Sequence, residues 1–260
     1  MTPRLVPLVR GKVGLEIGGP SPIFARGGLL PVYRHIQRMD NCNFSSHTLW
    51  EGAIEATEFR AGRMPGSQII AEGGDLGSVG DGAYEVLLSS HMLEHTANPL
   101  GTLLEWYRVL APAGVLVLVL PHRDGTFDHR RPVTTLEHLR MDRDRGTTED
   151  DATHIEEILQ LHDLRKDPGV ANELEFRARA ERNFELRSLH HHVFDTRLAL
   201  AAVGDVGFVP IMVEALEPYH IVVVAMKPPL DGVAHLTSMA IEESLRQSPF
   251  HSDRLGRVHA

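Results

Sequence analysis

The sequence predicts an α/β fold: a seven-stranded, mostly parallel sheet with helices on both faces and a helical insertion over one rim. Three observations carry that reading. Residues 84–121, YEVLLSSHMLEHTANPLGTLLEWYRVLAPAGVLVLVLP, run strand, polar turn, helix, Gly turn and strand in direct succession, which is the order of a parallel α/β unit. Further strand candidates precede this unit, each closing in turn residues. From His122 to about His192 the apolar runs give way to a polar, charged, helical pattern.

Residues 13–17 read as a first strand running into Gly18-Gly19-Pro20-Ser21-Pro22, residues 32–39 as a second ending at Asp40, and residues 68–71 as a third before Gly73-Gly74-Asp75. Residues 84–88 and 115–120 lack polar alternation, as strands covered on both faces do, so both are central. Between them Leu100, Leu103, Leu104, Tyr107 and Leu110 recur at helical spacing with Glu105 and Arg108 on the water side, until Pro112 and Gly114 stop the helix. Thr134-Thr135-Leu136-Glu137 has capping-box spacing and opens a helix, and residues 156–164 and 173–189 read as two more. Asp195 caps a helix over 197–203, and residues 208–213 and 220–226 form a closing pair of strands, antiparallel because their link is short. The chain thus divides into a core of 1–121 and 193–229, an insertion of 122–192 and a tail of 230–260. The tail carries one helix over 237–246 and a mobile end, SPFHSDRLGRVHA.

Lys and Arg total 26 against 35 acidic residues, and a net charge of -9 leaves no basic footprint for nucleic acid. Cys42 is the only cysteine, which excludes an internal disulfide or a multi-cysteine metal site and fits a reducing compartment. No run of about 18 uncharged apolar residues, and no signal-length run in MTPRLVPLVRGKVG, is present; a cytoplasmic protein without membrane partner is expected.

In an open α/β sheet the ligand lies beyond the carboxyl ends of the strands. There Gly18 and Gly19, flanked by Glu16 and Ser21, let backbone approach a ligand; the pattern is not GxGxxG, so a dinucleotide is not indicated. Asp40 is placed to accept from a ribose hydroxyl pair, Asp75 from an adenine amino group with Leu76 as an apolar edge, and His91 follows the fourth strand. Each has a plain reading as a turn or loop residue. Their succession, one per strand end, is what points to a nucleoside.

LEIGGPSPIF, GDLGSVGDGAYEVLLSSHMLEH and EWYRVLAPAGVLVLVLP resemble the glycine-rich first motif, the adenine-holding segment, and the fourth helix with fifth strand of Rossmann-like S-adenosylmethionine-dependent methyltransferases. The resemblance spans residues 11–121 and resumes over 194–227; Gly19-Pro20 stands where alternating glycines are usual, and Glu85 where aspartate is common. Within the insertion, PHRDGTFDHRRPVTTLEHL and LHHHVFDTRLAL are similar to actinobacterial sugar O-methyltransferases, including those of methylmannose polysaccharide synthesis. The resemblance implies S-adenosylmethionine as cofactor, held by Glu16, Gly18, Gly19, Ser21, Asp40, Asp75, Leu76 and His91, and a small-molecule or oligosaccharide acceptor under the insertion.

A sugar hydroxyl is a poor nucleophile at neutral pH and gains from a positioned base, and half of the sixteen histidines lie between residues 122 and 192. His122, directly beyond a central strand, is the first candidate, with His190 and His192 behind it. Asp124, Asp128, Arg130 and His191 are suited to bonding acceptor hydroxyls. Most histidines in such a set pack, cap or face solvent. Consecutive histidines on an extended segment point to opposite faces, so His190, His191 and His192 do not share one ion and zinc is not expected. Mg²⁺ held by Asp124, Asp128, Asp163 and His190 is the metal that remains open. Phe44 and Trp50 read as packing residues or as pocket walls. Two other functions fit the same fold: an N- or carboxyl-methyltransferase of a small metabolite, and a cofactor-binding module without turnover. Apolar surface on the amino-terminal segment or the tail is the candidate contact for a homodimer.

Overall fold

The computed structural model describes residues 1–54, 57–61, 64–230 and 232–255. In chain order its strands are β1 (Val13–Ile17), β2 (Arg38–Asn43), β3 (His47–Thr48), β4 (Gly52–Ala53), β5 (Glu58–Ala61), β6 (Met64–Ile70), β7 (Tyr84–Ser90), β8 (Leu110–Pro121), β9 (Val209–Leu216) and β10 (His220–Met226). The helices are α1 (Thr2–Val9), α2 (Pro99–Val109), α3 (Leu136–Arg145), α4 (Ile155–Leu161), α5 (Glu173–Glu181), α6 (Asn183–Leu186), α7 (Thr196–Asp205), α8 (Ser238–Arg246) and α9 (His251–Arg254).

Among the described residues, eight strands form one sheet in the order β5-β6-β2-β1-β7-β8-β10-β9, parallel from β6 to β8 and antiparallel at both edges. The strand beyond the expected seven is β5, a short edge strand whose single buried residue, Phe59, gives too little pattern to read. β3 and β4 pair separately.

The second strand begins at Arg38 rather than at residue 32. Val32, Tyr33 and Ile36 are apolar residues of the kind strands favour, yet they occupy a turn around Tyr33–His35 and point into the core. Asp40 is therefore mid-strand, opposite Leu15, and not at the rim. The helix expected over 173–189 is broken at Arg182 into α5 and α6. Thr135, not Thr134, caps α3, accepting from the His138 N–H at 3.1 Å, while Asp195 caps α7 as expected.

One face of the sheet packs Leu87, Leu116, Leu118 and Val223 against Leu103, Trp106, Leu139 and Val203 of α2, α3 and α7. The other packs Val86, Leu88, Val117 and Val222 against Leu5 and Val9 of α1 and against Phe24, Leu30 and Val32 from non-helical chain. Helices thus cover the first face, and α1 with an irregular segment rich in Gly and Pro covers the second. Within the insertion Ile158, Phe176, Ala180 and Leu189 form a small core of their own.

The tail is docked through its described residues: Leu245, Phe250 and Asp253 are buried, and α8 packs on β9. Residues 256–260, the rest of the end expected to be mobile, lie outside the described residues. Leu5 and Val9 of the amino-terminal helix are buried in this chain's own core. Among the described residues no helix is long and apolar enough to cross a membrane.

Candidate active site

Strand order brings the carboxyl ends of β1, β2, β6 and β7 side by side, and a cavity opens beyond them. Ile17 and Gly18 follow β1, Asn43 and Phe44 end β2, Glu72, Gly73 and Gly74 follow β6, and His91 and Met92 follow β7. Thr48 and Trp50 flank the mouth, while Glu149 and Arg187 reach over from the insertion.

Two glycines keep the floor open. Gly18 has φ +78°, and a Cβ there would lie 3.1 Å from Met92 Cγ; at Gly73 a Cβ would lie 2.3 Å from Met92 Cε and 2.8 Å from Ile17 Cγ2. The Gly73 turn is held from behind by the Trp106 indole N–H, which donates to the Gly73 carbonyl at 2.8 Å. Arg187 forms the roof: it pairs with Glu72 at 2.8 Å and Glu149 at 2.7 Å, and its guanidinium lies 5.5 Å from the Phe44 ring and 5.0 Å from Phe184.

Beside the cavity is a buried carboxylate among histidines. Glu94 Oε1 is 3.7 Å from His91 Nδ1, 3.8 Å from His95 Nε2 and 3.9 Å from His190 Nε2, and neither of its oxygens has a hydrogen-bond partner among the described residues. Burial pushes the Glu94 carboxyl up, but the surrounding histidines outweigh it and hold it below the usual range. His190 Nδ1 meets Asp128 Oδ2 at 2.5 Å. Burial would lower the His190 pKa; the Asp128 carboxylate reverses this and raises it. Asp128 is pushed up by burial yet held down at about 2 by His190 and by Arg131, whose Nη1 is 2.9 Å away. The His95 ring packs edge-on to His190 with centroids 4.7 Å apart, and burial lowers its pKa to about 4. Glu94, His95 and His190 place donor atoms within 4.8 Å of one another, as His138, His154 and His192 do elsewhere.

Of the residues expected to hold the cofactor, Gly18 and His91 line the cavity. Glu16 is fully buried beneath it, accepting from the Ser21 N–H and the Tyr33 O–H at 2.9 and 2.6 Å, so Glu16 and Ser21 shape the turn rather than touch the cavity. The Gly19 peptide is clamped by Asn41, which accepts from its N–H and donates to its carbonyl. Asp40 accepts from Arg38, the Ser67 N–H and Tyr84. Asp75 is exposed outside the lining, and Leu76 is fully buried against α2. The residue ending β2 at the cavity is Asn43, and the carboxylates in the lining are Glu72 and Glu149.

His122 is not at the site. Its ring is fully buried, stacked on Phe250 at 4.0 Å, with Nε2 3.3 Å from Asp253 of α9 and Nδ1 accepting from the Asp124 N–H. Asp124 accepts from the Ser252 N–H and lines a separate surface crevice with Pro218 and Phe250. Arg130 is exposed and pairs with Asp163, which also binds Arg165 and His129. The set expected for Mg²⁺ therefore does not converge: Asp128 and His190 meet, but Asp124 and Asp163 are committed to other partners. His191 is buried against Asn183, and His192 against the Ala97 carbonyl, neither in the cavity lining. His190 is outside the lining as well, but it packs edge-on against His95, which lines the cavity. Glu94 and His95 stand in the SSHMLEH segment, where a polar run after a central strand is a readable signal; Arg187 and Glu149 carried none, since only folding brings the insertion over the rim.

Residues 34–118 match a family model described as a methyltransferase domain, a span running from just before β2 into β8. Among solved structures, an S-adenosylmethionine dependent methyltransferase from Mesorhizobium loti is similar at 14% identity, with 87% of this chain and 95% of that one covered and a TM-score of 0.52. A structure of the complex between the Haloferax volcanii Trm112 methyltransferase activator and a methyltransferase is similar at 13% identity, with 88% and 89% covered and a TM-score of 0.51. At such identities the likeness shows the fold, a Rossmann-like α/β architecture with a mostly parallel central sheet. A search of curated proteins finds no match.

Proposed function

We propose that this S-adenosylmethionine-dependent methyltransferase acts on a saccharide hydroxyl, with His190 taking the hydroxyl proton. The observation that carries the reading is the Asp128–His190 pair, buried behind His95 of the cavity lining and facing the Glu94 carboxylate. S-adenosylmethionine, when bound, supplies an electrophilic methyl group on a cationic sulfur; Gly18, Phe44, Gly73, Gly74 and Met92 are the residues that would hold it, and the open glycine floor fits it.

A hydroxyl acceptor needs a base, worth roughly 10²–10⁴-fold. Asp128 accepts from His190 Nδ1–H, which fixes the tautomer and leaves Nε2 as the acceptor, and Glu94 at 3.9 Å stabilises the imidazolium once the proton arrives. His95 is a weaker base, because burial holds its pKa at about 4, but as a neutral ring in the cavity wall it can orient the hydroxyl. Trp50, 63% exposed at the mouth, offers an aromatic face to the C–H side of a sugar ring. A carboxylate acceptor fits less well: Arg187, the cation among the described lining residues, is already committed to Glu72 and Glu149. The similarity of the insertion to sugar O-methyltransferases points the same way.

The test is transfer from labelled cofactor to a panel of mono- and oligosaccharides, with and without EDTA, by wild type and by His190→Gln. The expected outcome is labelled sugar in the wild-type reaction and a kcat lower by roughly 10²-fold or more in the variant, with cofactor affinity unchanged by calorimetry. Label transfer to small carboxylates or amines but to no saccharide refutes the acceptor, and wild-type turnover in His190→Gln refutes the base.

A further inference from the structure

We infer that His138, His154, His192 and Asp142 form a zinc site, outside the cofactor cavity, that ties together separate segments of the insertion. The four residues come from three places in the chain: His138 and Asp142 one turn apart on α3, His154 immediately before α4, and His192 on the segment leading back to α7. The three imidazoles bring ligand atoms within 4.8 Å of one another, with ring centroids 5.0 Å apart for His138 and His154, 5.3 Å for His154 and His192, and 5.7 Å for His138 and His192. Asp142 Oδ2 points into the same space, 3.2 Å from His138 Nε2.

Two atoms of this cluster are buried without a hydrogen-bond partner among the described residues: Asp142 Oδ2 and His192 Nδ1. Native structures rarely leave such atoms unpaired, and an ion bound there satisfies both. The remaining atoms are already placed as outer supports. His192 Nε2 is 3.2 Å from the Ala97 carbonyl, so it donates there and leaves Nδ1 as the bare nitrogen; Asp142 Oδ1 accepts from the Thr147 hydroxyl at 3.2 Å.

Three imidazoles and one carboxylate suit Zn²⁺ in tetrahedral geometry, whereas Mg²⁺ takes oxygen ligands in an octahedron. Zn–N bonds of about 2.0–2.1 Å place ligand atoms roughly 3.4 Å apart, a closure within reach of side-chain rotation. The consecutive histidines do not share this ion. Only His192 of the three contributes, and its partners come from α3 and the start of α4, which is why the run by itself gave no zinc signature.

The test is metal content and calorimetric titration with Zn²⁺, using full-length protein dialysed against EDTA, for wild type, His154→Ala, Asp142→Asn and Glu94→Gln. Circular dichroism confirms that each variant is folded; His154 is only part-buried and tolerates truncation. The expected result is one Zn²⁺ per chain in wild type and Glu94→Gln, lost in His154→Ala and Asp142→Asn. With Zn²⁺ at about 100 times Kd, wild-type Tm rises by roughly 5–10 °C and that of His154→Ala does not. Absence of Zn²⁺ binding by wild type overturns the site, and so does binding that survives His154→Ala or is lost only in Glu94→Gln, which would put the ion at the Glu94 cluster.

Discussion

At Glu16 burial and hydrogen bonding pull in opposite directions. Burial pushes its carboxyl from the ordinary 4.5 to about 7, against the hydrogen bonds from Tyr33 and Ser21 that favour the anion. The native state thus binds this proton more tightly than the unfolded chain does. Its contribution to stability is fully present below pH 4.5 and declines as pH rises to about 7, by roughly 3 kcal/mol in all. Glu16→Gln carries no charge at any pH and keeps an acceptor for the Ser21 N–H. Urea denaturation at about pH 5 and pH 8 should show wild type losing roughly 2–3 kcal/mol more than the variant across that interval. Parallel curves would mean that Glu16 stays ionised throughout. The same side chain shows why a motif residue need not be a contact residue: it sets the turn that puts Gly18 in the cavity lining.

Among the elements, α9 is the clearest case of a segment placed by specific bonds rather than by its own propensity. Four residues cannot sustain a helix alone. Asp253 anchors it, accepting from the Thr196 N–H at 3.3 Å and from the Thr196 and Ser248 hydroxyls at 2.6 Å, with His122 Nε2 at 3.3 Å. Asp253→Ala leaves these donors buried without their acceptor and should destabilise the protein by roughly 2–3 kcal/mol, read as a lower urea midpoint, with earlier proteolysis of the tail. An unchanged midpoint would show that Phe250 and Leu245 suffice. On α2, Glu105 and Arg108 were expected to face water, yet they hold the loop after β6: Glu105 accepts from the Leu76 N–H, and Arg108 donates to the Leu76 and Val79 carbonyls. The water-facing stripe of a helix is polar for either purpose, so spacing does not distinguish them.

For the molecule as a whole, the decisive relation is between the core and its insertion, and Arg187 joins them. Its side chain bridges Glu72 of the core and Glu149 of the insertion over the cavity mouth. Removing it places two carboxylates near each other without their shared cation and loosens the roof. Arg187→Ala should weaken S-adenosylmethionine binding by about tenfold or more, an effect of at least roughly 1.4 kcal/mol readable by calorimetry. Wild-type affinity in that variant would mean that the insertion closes over the acceptor alone.

Strand runs, turn residues and caps are local, so the parallel strands, the central position of β7 and β8 and the rim where the cavity lies could be read along the chain. The apolar runs of β7 and β8 and the Asp195 cap needed no neighbours to be recognised. Where a side chain's meaning depended on a partner distant in sequence, folding decided it. Asp40 left the rim because β2 starts at Arg38, and a strand shifted along its length carries each residue to a new depth and face. His122 was closed off by a helix some 130 residues away, while Glu94, His95 and His190 became one cluster by the return of the insertion to the core. Periodicity records which residues are buried; it holds no information on which buried groups meet, because that follows from packing between segments the sequence keeps apart.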